Sequence, residues 1–167
     1  DQAEKLWDLL LETGRDDGLI PCGLGARDTL RMEAAMPLYG HEMNDDVTPL
    51  ETGLNFAVKM KKDDFIGKSA MEEAGAPKIK RVGLKVTGRG IIREEQTVYA
   101  EDASAPDGRK EIGHTTSGTH CPFLGEPVGM ALIDKEYAEV GTKLIVDVRG
   151  RMVEVEIVPL PFYTRAK

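Results

Sequence analysis

The stretch LIVDVRGRMVEVEI, Leu144 to Ile157, reads as two strands and a tight turn. Leu144, Val146 and Val148 are spaced two apart, and so are Val153, Val155 and Ile157. That period is what a strand with one buried face requires. Between the runs, Arg149-Gly150-Arg151 puts a glycine where a hairpin needs positive φ. Val82, Leu84 and Val86 repeat the pattern upstream, and Ile112 to Thr116 and Val128 to Ile133 are further strands. Asp102 to Lys110 is polar and reads as a loop tip. Strands this closely spaced, with Gly and Pro between them, predict a small barrel or sandwich.

Before Pro77 the character differs. Ala3, Leu6, Leu10 and Leu11 recur at helical spacing with Trp7 alongside, so the first segment reads as a helix. Asp1 and Glu4 resemble a capping box, and Gly14 suits the left-handed position after the last turn. Pro21 keeps Gly18 to Gly23 out of a helix. Residues 26–35 read as a second helix ending before Pro37, followed by a turn at PLYG. Leu54, Phe56, Val58 and Met60 alternate and suggest a strand. Gly67 to Ala74 reads as a short helix closed by Gly75. Pro77 and the lysines after it mark a boundary between a mixed α and β part and a nearly all-β part.

The chain has 167 residues, enough for one large or two small domains. It carries a net charge of -7 and 5% aromatic residues. An acidic chain with few stacking rings is a poor partner for nucleic acid. No run of about 18 apolar residues offers a membrane span. Cys22 and Cys121 match no disulfide framework and fit a reducing compartment. The chain opens at Asp1 without a Met or an apolar signal core, and that start is expected to be the edge of a fragment.

Several motifs point weakly to chemistry. Gly23 and Gly25 begin a dinucleotide fingerprint, but position 28 is Asp, which would repel a pyrophosphate. His114, His120 and Cys121 lack the spacing of a metal site, and ordinary hydrogen-bonded roles are expected for them. Cys22 has no identifiable base, and a small buried hydrophobe is expected there.

The informative stretch is LGARDTLRMEAAMPLYGHEM, Leu24 to Met43. Arg27 and Arg31 are four apart on one helix face, where like charges repel by ~0.2–0.5 kcal/mol unless an anion sits between them. Asp28 lies three before Arg31 and can pair with it. One reading is a local ion-pair lattice worth little. The other is that Asp28 or Glu33 holds one arginine while Arg27, in the first turn beside the glycines, is free for a ligand. His41 and Glu42 follow in the turn and either line a site or belong to a capped surface turn.

These residues resemble a known family. Gly25 to Ala34, Pro37 to Met43, Thr48 to Glu51, Phe65 to Lys68, Gly113 to Gly118, Leu124-Gly125 and Pro161 to Thr164 look like the aminomethyltransferases of the glycine cleavage system, the T-proteins. The resemblance covers essentially the whole chain. It implies an α+β fold: residues 1–76 as the end of a ferredoxin-like folate-binding region, and 77–167 as a C-terminal antiparallel β-barrel domain. It implies transfer of a methylene group from the aminomethyl-lipoyl arm of the H-protein to tetrahydrofolate, with release of ammonia. It also implies a cytoplasmic enzyme, or a matrix one in mitochondria.

By the same resemblance Arg27 matches a folate-contacting arginine, and a guanidinium can grip a pterin carbonyl or a carboxylate. Phe162 falls where the family has a tail tyrosine. It can stack on a ring but cannot donate a hydrogen bond, so Tyr163 is the neighbour expected to supply one. The family's catalytic Asp and its pterin-gripping Glu belong to the N-terminal half and have no counterpart here, so no catalytic residue is assigned. Folate-binding relatives in iron–sulfur assembly carry a Lys-Gly-Cys signature, absent here. Flavin-dependent dimethylglycine or sarcosine dehydrogenases tend to have Trp-Gly where this chain has Leu38-Tyr39-Gly40.

Overall fold

The computed structural model describes residues 2–165. Its centre is six strands: β1 (Ile79–Val86), β2 (Thr97–Glu101), β3 (Arg109–Cys121), β4 (Glu126–Asp134), β5 (Lys143–Val148) and β6 (Arg151–Val158). They form a closed barrel in the order β1-β4-β3-β2-β5-β6, every pair antiparallel. The pairing of β1 with β6, Leu84 opposite Ile157, closes it and decides for a barrel over a sandwich. Alternating residues fill the interior, among them Leu84, Val98, Ile133, Val146 and Val155. In the β5–β6 hairpin both Arg149 and Gly150 have positive φ (56° and 83°), the backbone that a two-residue hairpin of this twist requires. The Gly150 amide donates to Asp147 Oδ1 at 2.5 Å and fixes the turn.

Two strands differ from the sequence reading. β2 was not anticipated, because it buries only Val98 and Ala100, too few positions to show a period. β3 runs thirteen residues, well beyond Ile112 to Thr116, because its second half is polar and puts its hydroxyls to use on the outside.

The connection 87–96 dips into the barrel. Ile92 is fully buried among the interior residues. It fits because two facing positions lack a side chain. A Cβ on Gly118 would collide with the Ile92 carbonyl, and one on Gly129 would come within 2.6 Å of Ile92 Cδ1. Thr115 stitches the segment down. Its hydroxyl donates to the Arg93 carbonyl at 2.6 Å and accepts from the Gln96 amide at 2.9 Å.

Upstream lie three helices: α1 (Ala3–Thr13), α2 (Leu24–Glu33) and α3 (Lys68–Ala74). α2 packs on the outside of the barrel. Met32 and Ala35 meet Cys121, Val128 and Met130 of β3 and β4, with Leu160 and Phe162 at the edge. The helix ends in a paired turn, the Met36 amide donating to the Arg31 carbonyl and the Ala35 amide to the Met32 carbonyl. Ala35 takes the left-handed position (φ 52°) where glycine is usual. Its methyl is buried against the barrel, which gives alanine a packing reason to be there.

The remaining expectations are partly corrected. α1 forms as read, but its apolar stripe is uncovered by the described residues, with Trp7 51% exposed. Asp1, half of the expected capping box, lies outside the described residues. Gln2 caps the helix with no side-chain bond. Gly14 is not left-handed (φ -87°); its missing Cβ lets Leu19 pack within 2.7 Å of where that atom would be. The strand expected over 54–60 is instead a series of turns, with Ala57 N bonded to Leu54 O and Lys62 N to Lys59 O. A strand needs a neighbouring edge, and a closed barrel offers none. α3 ends at Gly75 as expected, with φ 73°.

Ile92→Ala is expected to destabilise the chain by about 2–4 kcal/mol, because the site is sealed and cannot collapse onto the lost methylenes. Denaturant unfolding measures it. A loss under ~1 kcal/mol would mean that Ile92 is not the plug of the barrel.

Candidate functional site

The centre of the site is Glu42, whose side chain is 0% exposed. It sits in the turn after α2, where Leu38 O accepts from both the His41 and Glu42 amides. Its carboxylate curls back and accepts the Leu38 amide at 2.9 Å. The same oxygen, Oε2, accepts Arg31 Nη1 at 3.0 Å. Oε1 accepts the hydroxyls of Thr116 (2.7 Å) and Ser117 (2.5 Å). So the surface-turn reading of Glu42 is corrected. The turn is there, but the side chain points inward because four donors converge on it.

A bulge in β3 makes this possible. Thr115 pairs with Ala131 and Ser117 with Met130, so Thr116 is an extra residue. In a regular strand two consecutive side chains point to opposite faces. The bulge breaks the alternation and re-aims them, so both hydroxyls reach one carboxylate. Thr116 O lies 3.2 Å from His41 Nδ1, and Glu94 Oε2 lies 3.0 Å from the same nitrogen. Both partners are acceptors, so the network assigns the ring proton to Nδ1.

Arg31 is wholly engaged. Nε and Nη2 donate to Asp28 Oδ1 at 2.9 and 2.6 Å, and Nη2 also donates to Ser117 Oγ at 2.9 Å. The expected pairing of Arg31 with Asp28 is present. Glu33 holds no arginine; its Oε1 accepts the Phe123 amide at 3.1 Å. A third guanidinium, Arg81 on β1, donates from Nη1 to the Ala35 carbonyl at 2.6 Å and so ties the end of α2 to the barrel. Burial pushes Arg81 below its ordinary pKa, with Glu42 opposing and Arg31 adding to the shift.

A cavity of about 970 Å³ opens beside this network. One wall is α2 with Arg27, Asp28 and Arg31; facing it are His41 and residues 93–97. Ser117 and Gly118 of β3 and the hairpin tip at Arg149 and Gly150 complete it. Arg27 lines the cavity, and among the described residues no carboxylate pairs with it.

Phe162 and Tyr163 are not brought to this cavity. Phe162 packs against the Met32 and Met130 cluster. The Tyr163 amide donates to the Glu33 carbonyl at 2.9 Å, and its ring meets Phe123 edge-on at 4.9 Å. Cys22 is exposed, not the buried hydrophobe expected. Cys121 is the buried one, and burial, reinforced by Glu33 and Asp28, pushes its thiol up to about 11, so it is protonated and inert at neutral pH. His114 and His120 are exposed positions of β3. Among the described residues no three His, Cys, Asp or Glu side chains gather as a metal site. No helix among them is long and apolar enough to cross a membrane. Sequence reasoning missed Glu42, Thr116 and Ser117 as one unit, because a bulge has no periodic signal.

Residues 80–164 match the family model described as the glycine cleavage T-protein C-terminal barrel domain, and 1–62 match the GCVT N-terminal domain. The chain belongs to the glycine cleavage T-protein family. The T-protein barrel model spans all six strands almost completely. An aminomethyltransferase of Bacillus cereus (strain ZK / E33L) is 48% identical over 171 residues, covering all of this chain and 44% of that protein. One from Bacillus cytotoxicus is 47% identical with the same coverage. The crystal structure of glycine cleavage system aminomethyltransferase T from Bartonella henselae superposes with a TM-score of 0.81 at 32% identity, over 96% of this chain and 44% of that one. The chain therefore spans less than half the length of these T-protein relatives.

Glu42→Ala is expected to cost about 3–5 kcal/mol, since it leaves Arg31 buried without its carboxylate. Thermal or denaturant unfolding checks this. A loss under ~1 kcal/mol would show that the four donors do not depend on that carboxylate.

Proposed function

We propose that the chain is part of an aminomethyltransferase of glycine cleavage. In this reading a methylene group passes from the aminomethyl-lipoyl arm of the H-protein to tetrahydrofolate, and ammonia is released. Residues 1–76 form the C-terminal part of the folate-binding region and 77–167 the barrel domain. The protein works in the cytoplasm, with the lipoylated H-protein as its carrier.

The observation that carries this reading is the division of labour between two arginines on one helix. Arg31 spends its donors on Glu42, Asp28 and Ser117. Arg27, one turn earlier, faces the same cavity with none of its donors spent on a carboxylate. A free guanidinium beside Gly23 and Gly25 is suited to bidentate recognition of a folate carbonyl or carboxylate. Phe162 and Tyr163 enter as folate contacts from their place in the family's tail. They stand at the C-terminal end of α2, about 9 Å along the helix from Arg27 by helical rise. A folate touching both ends would lie along α2.

Calorimetry with 5-formyltetrahydrofolate on the full-length protein and its Arg27→Ala variant tests the reading. The variant is expected to lose about 1–3 kcal/mol, the value of a hydrogen bond to a charged group. Unchanged affinity would leave Arg27 a surface charge and remove the argument from the cavity. The chain by itself is expected to show no turnover with tetrahydrofolate and aminomethylated carrier, since it offers no counterpart of the family's catalytic Asp. Clear turnover would refute that.

A further inference from the structure

Thr115, Thr116 and Ser117 are three consecutive buried polar residues of β3, and each spends its hydroxyl differently. Thr115 holds the connection 87–96, through the Arg93 carbonyl and the Gln96 amide. Ser117 bonds Glu42 and Arg31, and it also lines the cavity. Thr116, the bulge residue between them, is 1% exposed and takes no part in the lining.

Two polar groups of Thr116 are committed to the turn after α2. Its hydroxyl donates to Glu42 Oε1 at 2.7 Å, and its carbonyl lies 3.2 Å from His41 Nδ1. These partners lead to facing walls of the cavity. Glu42 Oε2 accepts Arg31 Nη1 at 3.0 Å, and Arg31 in turn holds Asp28, so the first path ends on α2, one turn from Arg27. His41 Nδ1 lies 3.0 Å from Glu94 Oε2, so the second path ends on the connection 87–96. Of the three hydroxyl residues, only Thr116 reaches both walls from behind.

The hydroxyl is the replaceable half of this arrangement, since the carbonyl belongs to the main chain. Without it, Glu42 Oε1 keeps Ser117 alone as a donor. A buried carboxylate one donor short shifts toward the donors that remain or admits water. Arg31 follows it, because their bond is charge-assisted. Arg31 and Arg27 ride on one helix, about 6 Å apart by helical rise, so a tilt of α2 carries Arg27 with it. A displacement of about 1 Å is enough to weaken a contact that depends on alignment.

We infer, resting on the reading of Arg27 as a ligand contact, that Thr116 is a positioning residue for this cavity. Buried behind both walls and out of a ligand's reach, it sets the place of Arg27 through Glu42 and Arg31, and the place of Glu94 through His41.

The test uses the full-length protein, with 5-formyltetrahydrofolate as the calorimetric probe. The variants are Thr116→Val, Thr116→Ser, Arg27→Ala and the double variant Thr116→Val with Arg27→Ala. Valine keeps the branched shape and loses the hydroxyl, while serine keeps the hydroxyl. Titrations run well below each variant's melting temperature. Thr116→Val is expected to weaken binding about three- to tenfold, and Thr116→Ser to restore most of that loss. In the Arg27→Ala background the valine is expected to cost less than about twofold, because the group being placed is gone. A merely structural role would lower the melting temperature and leave no such coupling. Should valine prevent folding, Thr116→Cys, whose thiol is a weak donor, takes its place with the same expectations. Binding by Thr116→Val within about twofold of the parent overturns the inference, and so do losses that simply add in the double variant. A parent that does not bind the probe, or an Arg27→Ala variant that binds like the parent, sinks the reading of Arg27 and this inference together. A loss with Arg27→Ala and none with Thr116→Val sinks this inference alone.

Discussion

One buried carboxylate governs how the rest of the chain is placed. Taking Glu42 out of water costs several kcal/mol. That cost is offset only if its lone pairs are filled, and the four donors come from three separate places: α2, the turn after it and the β3 bulge. Each segment is held by the need of the others. Arg31, drawn into this knot, ties α2 to the barrel, and Arg27 lines the cavity one turn earlier without a carboxylate partner among the described residues.

The barrel contributes rigidity and one exception to it. Its interior is an ordinary aliphatic core, but the strand faces carry glycines where another backbone comes close. Gly118 and Gly129 make room for Ile92, and that buried side chain turns the connection 87–96 into a fixed wall. A loop anchored by one deep apolar residue and a threonine hydroxyl can present Arg93, Glu94 and Glu95 to a cavity without the mobility usual for loops. The β5–β6 hairpin presents Arg149 in the same way, on a turn whose geometry is fixed by Asp147.

The family model and the relatives place the chain among the T-proteins. The uncovered stripe of α1 and the helices before β1 show that the upstream part has little core of its own among the described residues. The barrel, in contrast, is complete, with both edges paired.

The sequence alone was enough for most strands of the all-β part and for the pair of arginines, while the β1–β6 pairing that makes a barrel and not a sandwich came from the structure. Strict alternation such as Val153, Val155 and Ile157 has only one cheap solution, a strand with one face buried, and Arg149-Gly150 admits only a tight hairpin. Helical spacing likewise put Arg27 and Arg31 on one face with Asp28 between them. It could not say that the alternation at Leu54 to Met60 has no edge to join, that Glu42 points inward, or that Thr116 is an extra residue. The first and the last depend on how strands pair, and the inward turn of Glu42 on contacts between residues some 75 positions apart in the chain, as in the Ser117–Glu42 hydrogen bond. Local patterns record what a segment prefers by itself. Only the assembled structure decides which preferences are overruled, because desolvating a charge or closing a barrel edge outweighs a local propensity of a few tenths of a kcal/mol.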